Sequence, residues 1–227
     1  MSEHRVASHL GLAAHDYDAE IRRYIPAYDA MIATVVTIVG RLPAPLVVDL
    51  GTGTGALAAA ILDGVPGSIV ELVDIDPAML EAAGARVAGH GARAQLVRRS
   101  FDDALPACHA IVASLALHHV TERDAKRALY ARIHGALRPG GVLLVADITA
   151  HEDGPERTLL YDQWTAAMGE HGISAEQARE LYAKWAGPDG DRYFPLATEL
   201  ALLAGAGFPR PECFWKHGPA TVFGGFR

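Results

Sequence analysis

The sequence predicts a doubly wound α/β fold with a mostly parallel sheet, and three observations carry that prediction. Short, continuous apolar runs alternate with helical segments between Leu46 and Ile148, as a parallel sheet covered on both faces demands. A glycine loop, Asp49-Leu50-Gly51-Thr52-Gly53-Thr54-Gly55, leaves the first run and opens a helix. An acid, Asp74, closes the second run. Half of the 227 residues are hydrophobic, enough to supply a sizeable core.

Taken in order, the chain opens with a helical stretch over about Asp16 to Tyr24. A second runs from Pro26, tolerated in a first helical turn, to about Gly40. Leu46 to Leu50 is strand one, and Ala56 to Asp63 the helix behind the glycine loop. Ile69 to Asp74 is strand two; Asp76 then suits an N-cap and Pro77 the first helical position of a segment ending near Val87. Ala94 to Arg98 and Ala110 to Ser114 are strands three and four. A helix over Glu122 to Leu137 should stop at a turn, Arg138-Pro139-Gly140-Gly141, before strand five at Val142 to Ile148. Two inserted helices rich in Trp and Tyr follow, Glu156 to His171 and Ser174 to Trp185. A helix at Leu196 to Ala204 and a hairpin of Glu212 to His217 with Thr221 to Phe226, joined at Gly218-Pro219, complete the chain. The expectation is one domain over 1–227: a helical cap (1–45), a ligand-binding core (46–150), a helical insertion (151–195) and a C-terminal helix with hairpin (196–227).

Charge and cysteine content narrow the partners. A formal net charge of −7 argues against a phosphate-backbone groove and against an anionic membrane surface. Cys108 and Cys213 sit in apolar runs without paired spacing and read as reduced thiols. The polar first ten residues show no signal-peptide pattern. A cytoplasmic monomer or homodimer acting on a small molecule, with no nucleic-acid or membrane partner, is expected.

Glycines between a strand and a helix let the backbone turn tightly and let a ligand approach the peptide plane beside helix N–H groups. Asp74, at the end of the next strand, can accept hydrogen bonds from both ribose hydroxyls. Gly51-x-Gly53-x-x-Ala56 with Asp74 also satisfies a nicotinamide-dinucleotide fingerprint. Against that reading, the glycines also fit G-x-G-x-G after Asp49, strand one begins only at Leu46, and little chain follows strand five for a separate substrate domain.

Four segments, in order, resemble the class I S-adenosylmethionine-dependent methyltransferases. They are Val47-Val48-Asp49-Leu50-Gly51-Thr52-Gly53-Thr54-Gly55, then Leu72-Val73-Asp74-Ile75-Asp76-Pro77-Ala78-Met79-Leu80, then Ser114-Leu115-Ala116-Leu117-His118-His119, then Leu137-Arg138-Pro139-Gly140-Gly141. The resemblance implies a Rossmann-like methyltransferase fold: seven strands, the last antiparallel. It implies S-adenosylmethionine as cofactor, with Gly51, Thr52 and Gly53 meeting its methionine portion. Asp49 would orient that loop, Asp74 hold the ribose, and Ile75 and Met79 meet the adenine face. Where that family carries an acid-containing pair after strand three, this chain has Ser100-Phe101 followed by Asp102, so the adenine contact is expected from these three residues. Ser114 and Leu115 would lie under the sulfonium, and Tyr28 of the cap would touch the methionine end.

Methyl transfer is an in-line displacement that needs alignment and exclusion of water, and a base only where the acceptor must lose a proton early. His118 and His119, just past strand four, are the catalytic candidates, and alternation there should let only one face the acceptor. No metal site is expected, because no third ligand has suitable spacing. His15, Tyr17, Trp164, Trp185, Tyr193 and Trp215 are candidate acceptor contacts, since aromatics outside the core strands suit an apolar pocket. The cap Tyr24-Ile25-Pro26-Ala27-Tyr28 and the ending Ala206-Gly207-Phe208 also resemble carboxy-S-adenosylmethionine synthases. Those carry an arginine for the extra carboxylate where this chain has Leu202, which favours ordinary S-adenosylmethionine. The expected function is methylation of a small molecule at oxygen or nitrogen. The alternatives are an NAD(P)-dependent oxidoreductase and a non-catalytic, donor-binding regulator.

Overall fold

The computed structural model describes residues 20–185 and 191–227. Residues 20–24 are helical, and helix α1 (Tyr28–Val39) follows a left-handed Ala27. Then come β1 (Leu46–Leu50), α2 (Ala56–Gly64), β2 (Ile69–Asp74), α3 (Pro77–Val87), β3 (Ala94–Arg98), β4 (Cys108–Ser114) and α4 (Arg123–Ala136). After β5 (Leu137–Ile148) come α5 (Gly154–Glu170), α6 (Ala175–Trp185), α7 (Leu196–Gly205), β6 (Glu212–His217) and β7 (Ala220–Phe226).

The strands form one seven-stranded sheet in the order β3-β2-β1-β4-β5-β7-β6. β1 to β5 run parallel, and β7 pairs antiparallel with both β5 and β6. After β1 the chain first builds outward through β2 and β3, then returns to place β4 on the other side of β1. The C-terminal ends of β1 and β4 therefore part at a topological switch point, where α/β sheets open a ligand crevice. Continuous apolar strands require cover on both faces, and both are covered. Met31, Val35 and Val39 of α1 pack with Leu57 and Ile61 of α2 on one face. Leu129, Tyr130 and Ile133 of α4 pack with Leu203 of α7 on the other.

The expected turn at Arg138-Pro139-Gly140-Gly141 lies within the bounds of β5, with Gly140 at φ +78°. Arg227 pins it: the Gly140 N–H donates to the Arg227 carbonyl and the Arg227 N–H to the Gly141 carbonyl. A register shift between Cys108 and Ala110 absorbs the irregularity. The α4–α7 contact encloses a buried ion pair: Lys126 Nζ lies 2.6 Å from Glu199 Oε1, while the Tyr130 hydroxyl donates to Glu199 Oε2 at 2.6 Å. Both cysteines are free, Cys108 buried and Cys213 half-buried. Among the described residues no helix is long and apolar enough to cross a membrane.

Asp76 caps α3 as expected, its Oδ1 accepting from the Ala78 N–H at 2.9 Å with Pro77 at the first helical position. Asp76→Ala is expected to cost about 1 kcal/mol, the usual worth of an N-cap. Chemical denaturation at neutral pH measures it.

Candidate active site

A cavity of about 420 Å³ opens at the C-terminal ends of β1, β2 and β4. Gly51, Thr52, Gly53, Asp74, Ile75, Met79, Ser100, Phe101, Asp102, Ser114, Leu115 and Tyr28 all line it. The glycine loop is fixed from below, since the Gly51 and Thr52 N–H groups both donate to the Val73 carbonyl. Gly51 has φ +76°, and a Cβ there would sit 2.6 Å from the Ala116 Cβ. A Cβ on Gly53 (φ +55°) would meet nothing within 4 Å, so this stretch of loop faces open space. Asp74 is oriented by two backbone donors, the Gly53 N–H on Oδ2 and the Asp76 N–H on Oδ1, each at 2.9 Å. Burial, the largest influence, raises its pKa. Each oxygen keeps a second lone pair for the cavity. Ile75, at 38% one of the more exposed large apolar residues, lies on the cavity wall, where a flat apolar group would cover it. An open glycine cradle, a held carboxylate and an uncovered apolar wall fit an adenosyl ligand carrying a ribose diol.

Asp49 does not reach the cavity. It lies fully buried beneath the loop, and its Oδ2 accepts from Thr52 Oγ1 at 2.5 Å. Burial pushes its carboxyl up to about 7, against the lowering effect of the Thr52 hydroxyl. A carboxyl whose folded pKa lies above its unfolded value favours the fold below the unfolded pKa, and that contribution is lost as pH rises to the folded pKa. Between pH 4 and 7 the unfolded chain releases this proton and the folded chain keeps it, so stability falls across that window. Asp49→Asn removes the titration and keeps an acceptor for Thr52. Relative to the native chain its stability should rise through that window and level off above it, by about 3–4 kcal/mol. Urea melts at pH 4.5 and pH 8 test this.

At the other end of the cavity the chain leaves β4 through Leu115, which adopts the left-handed conformation (φ +50°) and donates its N–H to the Ala146 carbonyl at 2.9 Å. That conformation is costly for a leucine, and such strain clusters at functional sites. A short 3₁₀ turn, Leu117–His119, follows, and here the structure corrects the sequence expectation. Both histidines line the cavity, their ring centroids 4.2 Å apart, because a tight turn does not alternate side chains as a strand does.

His118 is buried and held on two sides. Its Nδ1 lies 2.7 Å from Asp147 Oδ1, and its N–H donates to Asp147 Oδ2 at 3.2 Å. Asp147 Oδ1 also accepts from the Ile148 N–H. Burial works to lower the His118 pKa, but the carboxylates of Asp147 and Asp191 outweigh it and raise it. Burial likewise opposes ionisation of Asp147, yet His118 draws its pKa down. The His119 pKa is lowered, first by burial and then by His118. Asp191 lies 3.1 Å from His119 Nδ1 and 3.5 Å from His118 Nε2. The reason for expecting no metal therefore fails: Asp191, remote in sequence, lies beside both imidazoles, and the three offer ligand atoms within 4.8 Å of one another.

Of the aromatic candidates, Trp185 and Tyr193 line the cavity. Trp164 does not. It is fully buried, stacks on Trp185 at 5.6 Å and donates its indole N–H to the Tyr24 carbonyl at 2.5 Å, bracing the cap. Trp215 does not either, since on edge strand β6 it packs against the core and stacks with His217. His15 and Tyr17 lie outside the described residues. Sequence reasoning missed Asp147, Asp191 and the apolar walls Ile21, Ile25 and Ile148. Only Asp147 left a signal, as an acid near the end of an apolar strand. Leu202 packs into the core on the α4–α7 face and is not among the residues lining the cavity.

With this geometry in view, similarity to known proteins is informative. Residues 47–141 match the methyltransferase-domain family. The chain is 32% identical over 206 residues to a carboxy-S-adenosyl-L-methionine synthase of Aeromonas hydrophila, covering 86% of this chain and 80% of that protein. It is 32% identical over 168 residues to the acetylserotonin O-methyltransferase of Bos taurus, covering 70% of this chain and 46% of that one. An O-methyltransferase family protein from Burkholderia thailandensis superposes with a TM-score of 0.64 at 22% identity, covering 88% of this chain and 57% of its own, which shows a shared fold. The chain spans roughly half the length of such solved structures. It belongs to the class I S-adenosylmethionine-dependent methyltransferases. The parallel five-strand core with its antiparallel β7, and the ordered motifs from Val47 to Gly141, are those of that family, and nothing supports the oxidoreductase alternative.

Proposed function

We propose that this chain transfers a methyl group from S-adenosylmethionine to an oxygen or nitrogen of a small, largely apolar acceptor, the His118–Asp147 pair favouring a hydroxyl oxygen. One observation carries this reading. A single cavity holds the Gly53 cradle and Asp74 at one end and His118, fixed by Asp147, at the other. When bound, S-adenosylmethionine supplies a sulfonium-activated methyl group, which leaves the sulfur as the acceptor atom bonds to its carbon. Gly51, Thr52 and Gly53 hold the methionine portion, Asp74 the ribose diol, and Ile75, Met79 and the Ser100–Asp102 turn the adenine.

Tyr28 and Leu115 flank the reacting end, while Ile21, Ile25, Ile148, Trp185 and Tyr193 give the acceptor an apolar, aromatic wall and exclude water. With Nδ1 engaged by Asp147, His118 turns Nε2 toward the cavity, where it can take the proton an acceptor hydroxyl loses. Leu202, aligned with the arginine of carboxy-S-adenosylmethionine synthases, packs away from the cavity and carries no part of this reading. The acidic charge balance supports an enzyme with neither a nucleic-acid nor a membrane partner, and the free Cys108 and Cys213 fit a reducing, cytoplasmic setting.

Calorimetric titration with S-adenosylmethionine and S-adenosylhomocysteine, followed by transfer of labelled methyl to a panel of phenols, alcohols and amines, tests the proposal. Micromolar binding of both ligands and a labelled, extractable product are expected. Absence of adenosyl-ligand binding would sink it. Binding with no transfer to any acceptor class would favour the donor-binding regulator.

A further inference from the structure

We propose that His118, His119 and Asp191 form a binding site for a divalent transition-metal ion at the acceptor end of the cavity. A cation about 2.0–2.2 Å from nitrogen and oxygen ligands holds neighbouring ligand atoms roughly 3–3.5 Å apart. Here His119 Nδ1 and His118 Nε2 lie 3.1 Å and 3.5 Å from Asp191 Oδ1, and the three ligand atoms all lie within 4.8 Å of one another, so a modest closure of the two rings would seat an ion among them. Histidine ligands are characteristically oriented by a carboxylate on the other ring nitrogen. Asp147 does this for His118 at 2.7 Å, and is itself fixed by the His118 and Ile148 N–H groups. The Tyr193 hydroxyl donates to Asp191 Oδ2 at 2.9 Å and so turns Oδ1 toward the imidazoles.

Charge points the same way. Two carboxylates, Asp147 and Asp191, face the two imidazoles within a largely buried site, and a divalent ion would offset their charge. Two nitrogens and one carboxylate suit zinc, cobalt, nickel or iron rather than calcium or magnesium, which prefer all-oxygen sets. All three ligands border the cavity, so the remaining coordination positions face the acceptor. The ion's use there rests on the methyl-transfer reading above: an acceptor hydroxyl joins the coordination sphere with its O–H acidified, releases its proton to solvent or buffer at the cavity mouth as it binds, and reacts as the alkoxide or phenolate, so that His118 serves as ligand rather than base.

The site is tested without catalysis. Chelator-treated full-length protein is titrated with Co²⁺ and followed by visible absorption, and with Zn²⁺ by equilibrium dialysis. One equivalent at micromolar affinity is expected. His119→Ala and Asp191→Asn should weaken binding at least tenfold, Asp147→Asn roughly 10–100-fold through the ligand it orients, and surface His217→Ala not at all. Circular dichroism confirms that each variant folds. No stoichiometric binding, or binding indifferent to His119 and Asp191, overturns the site and leaves His118 as the base of the proposed reaction. A bound ion whose removal leaves methyl transfer unchanged overturns its catalytic use but not the methyltransferase reading. A bound ion in a protein that transfers no methyl group overturns that reading but not the site.

Discussion

Asp74→Ala is expected to weaken S-adenosylmethionine binding by at least ~100-fold while the chain remains folded. In the donor-binding reading Asp74 is the one carboxylate placed to accept from the ribose diol, and each hydrogen bond to a charged group is worth about 1.5–3 kcal/mol. Two such bonds correspond to roughly 10²–10⁴ in affinity. The substitution also frees the Gly53 and Asp76 N–H groups that Asp74 now holds at 2.9 Å, so the cradle loses its anchor as well as its ligand contact. Asp74→Asn keeps an acceptor but turns an NH₂ toward either the backbone donors or the ribose, and should fall between. Calorimetry with S-adenosylmethionine measures all three proteins, and thermal unfolding establishes that the variants fold. A dissociation constant within about threefold of the native value for Asp74→Ala would remove Asp74 from the donor site.

How much of this was legible in the sequence depended on the range of the interaction encoded. β2, β3 and β6 run over the segments expected, because an apolar run bounded by Asp74-Ile75-Asp76-Pro77 or Arg98-Arg99-Ser100 is a local signal. The donor half of the cavity was legible too: loop glycines and a strand-end acid act through their own backbone, at places the sheet topology dictates. The acceptor half was not. Trp164 and Trp185 are similar aromatics on neighbouring inserted helices, yet one braces the cap and the other lines the cavity. Only the docking of α5 and α6 against residues 20–24 separates them. The alternation expected at His118-His119 failed because Leu115 takes a left-handed conformation that no pattern announces. Asp191 reaches the histidines through long-range closure of the chain, with the Arg192 N–H donating to the His118 carbonyl at 3.2 Å.

His118→Ala is expected to lower turnover by roughly 10²–10⁴ with the donor dissociation constant changed by less than about threefold. His118 touches the acceptor end of the cavity, whereas the glycine loop and Asp74 belong to the other end, so the loss should fall on kcat rather than on donor affinity. Asp147→Asn tests the same arrangement from behind. It retains an oxygen for Nδ1–H but removes the charge and loosens ring orientation, and a loss of about 10–100-fold is expected. His119→Ala then decides how His118 works. If His118 takes the acceptor's proton directly, His119 is a neighbour on the wall and its removal should cost less than about tenfold. If the two rings share a cation with Asp191, removing either one empties the same site. His119→Ala should then approach the His118→Ala loss, and added Zn²⁺ or Co²⁺ should partly restore His119→Ala alone, because His118 and Asp191 still offer two ligands and Asp147 still orients the first. Native-like turnover in His118→Ala would place proton removal in neither scheme and leave alignment of the acceptor as the cavity's whole contribution.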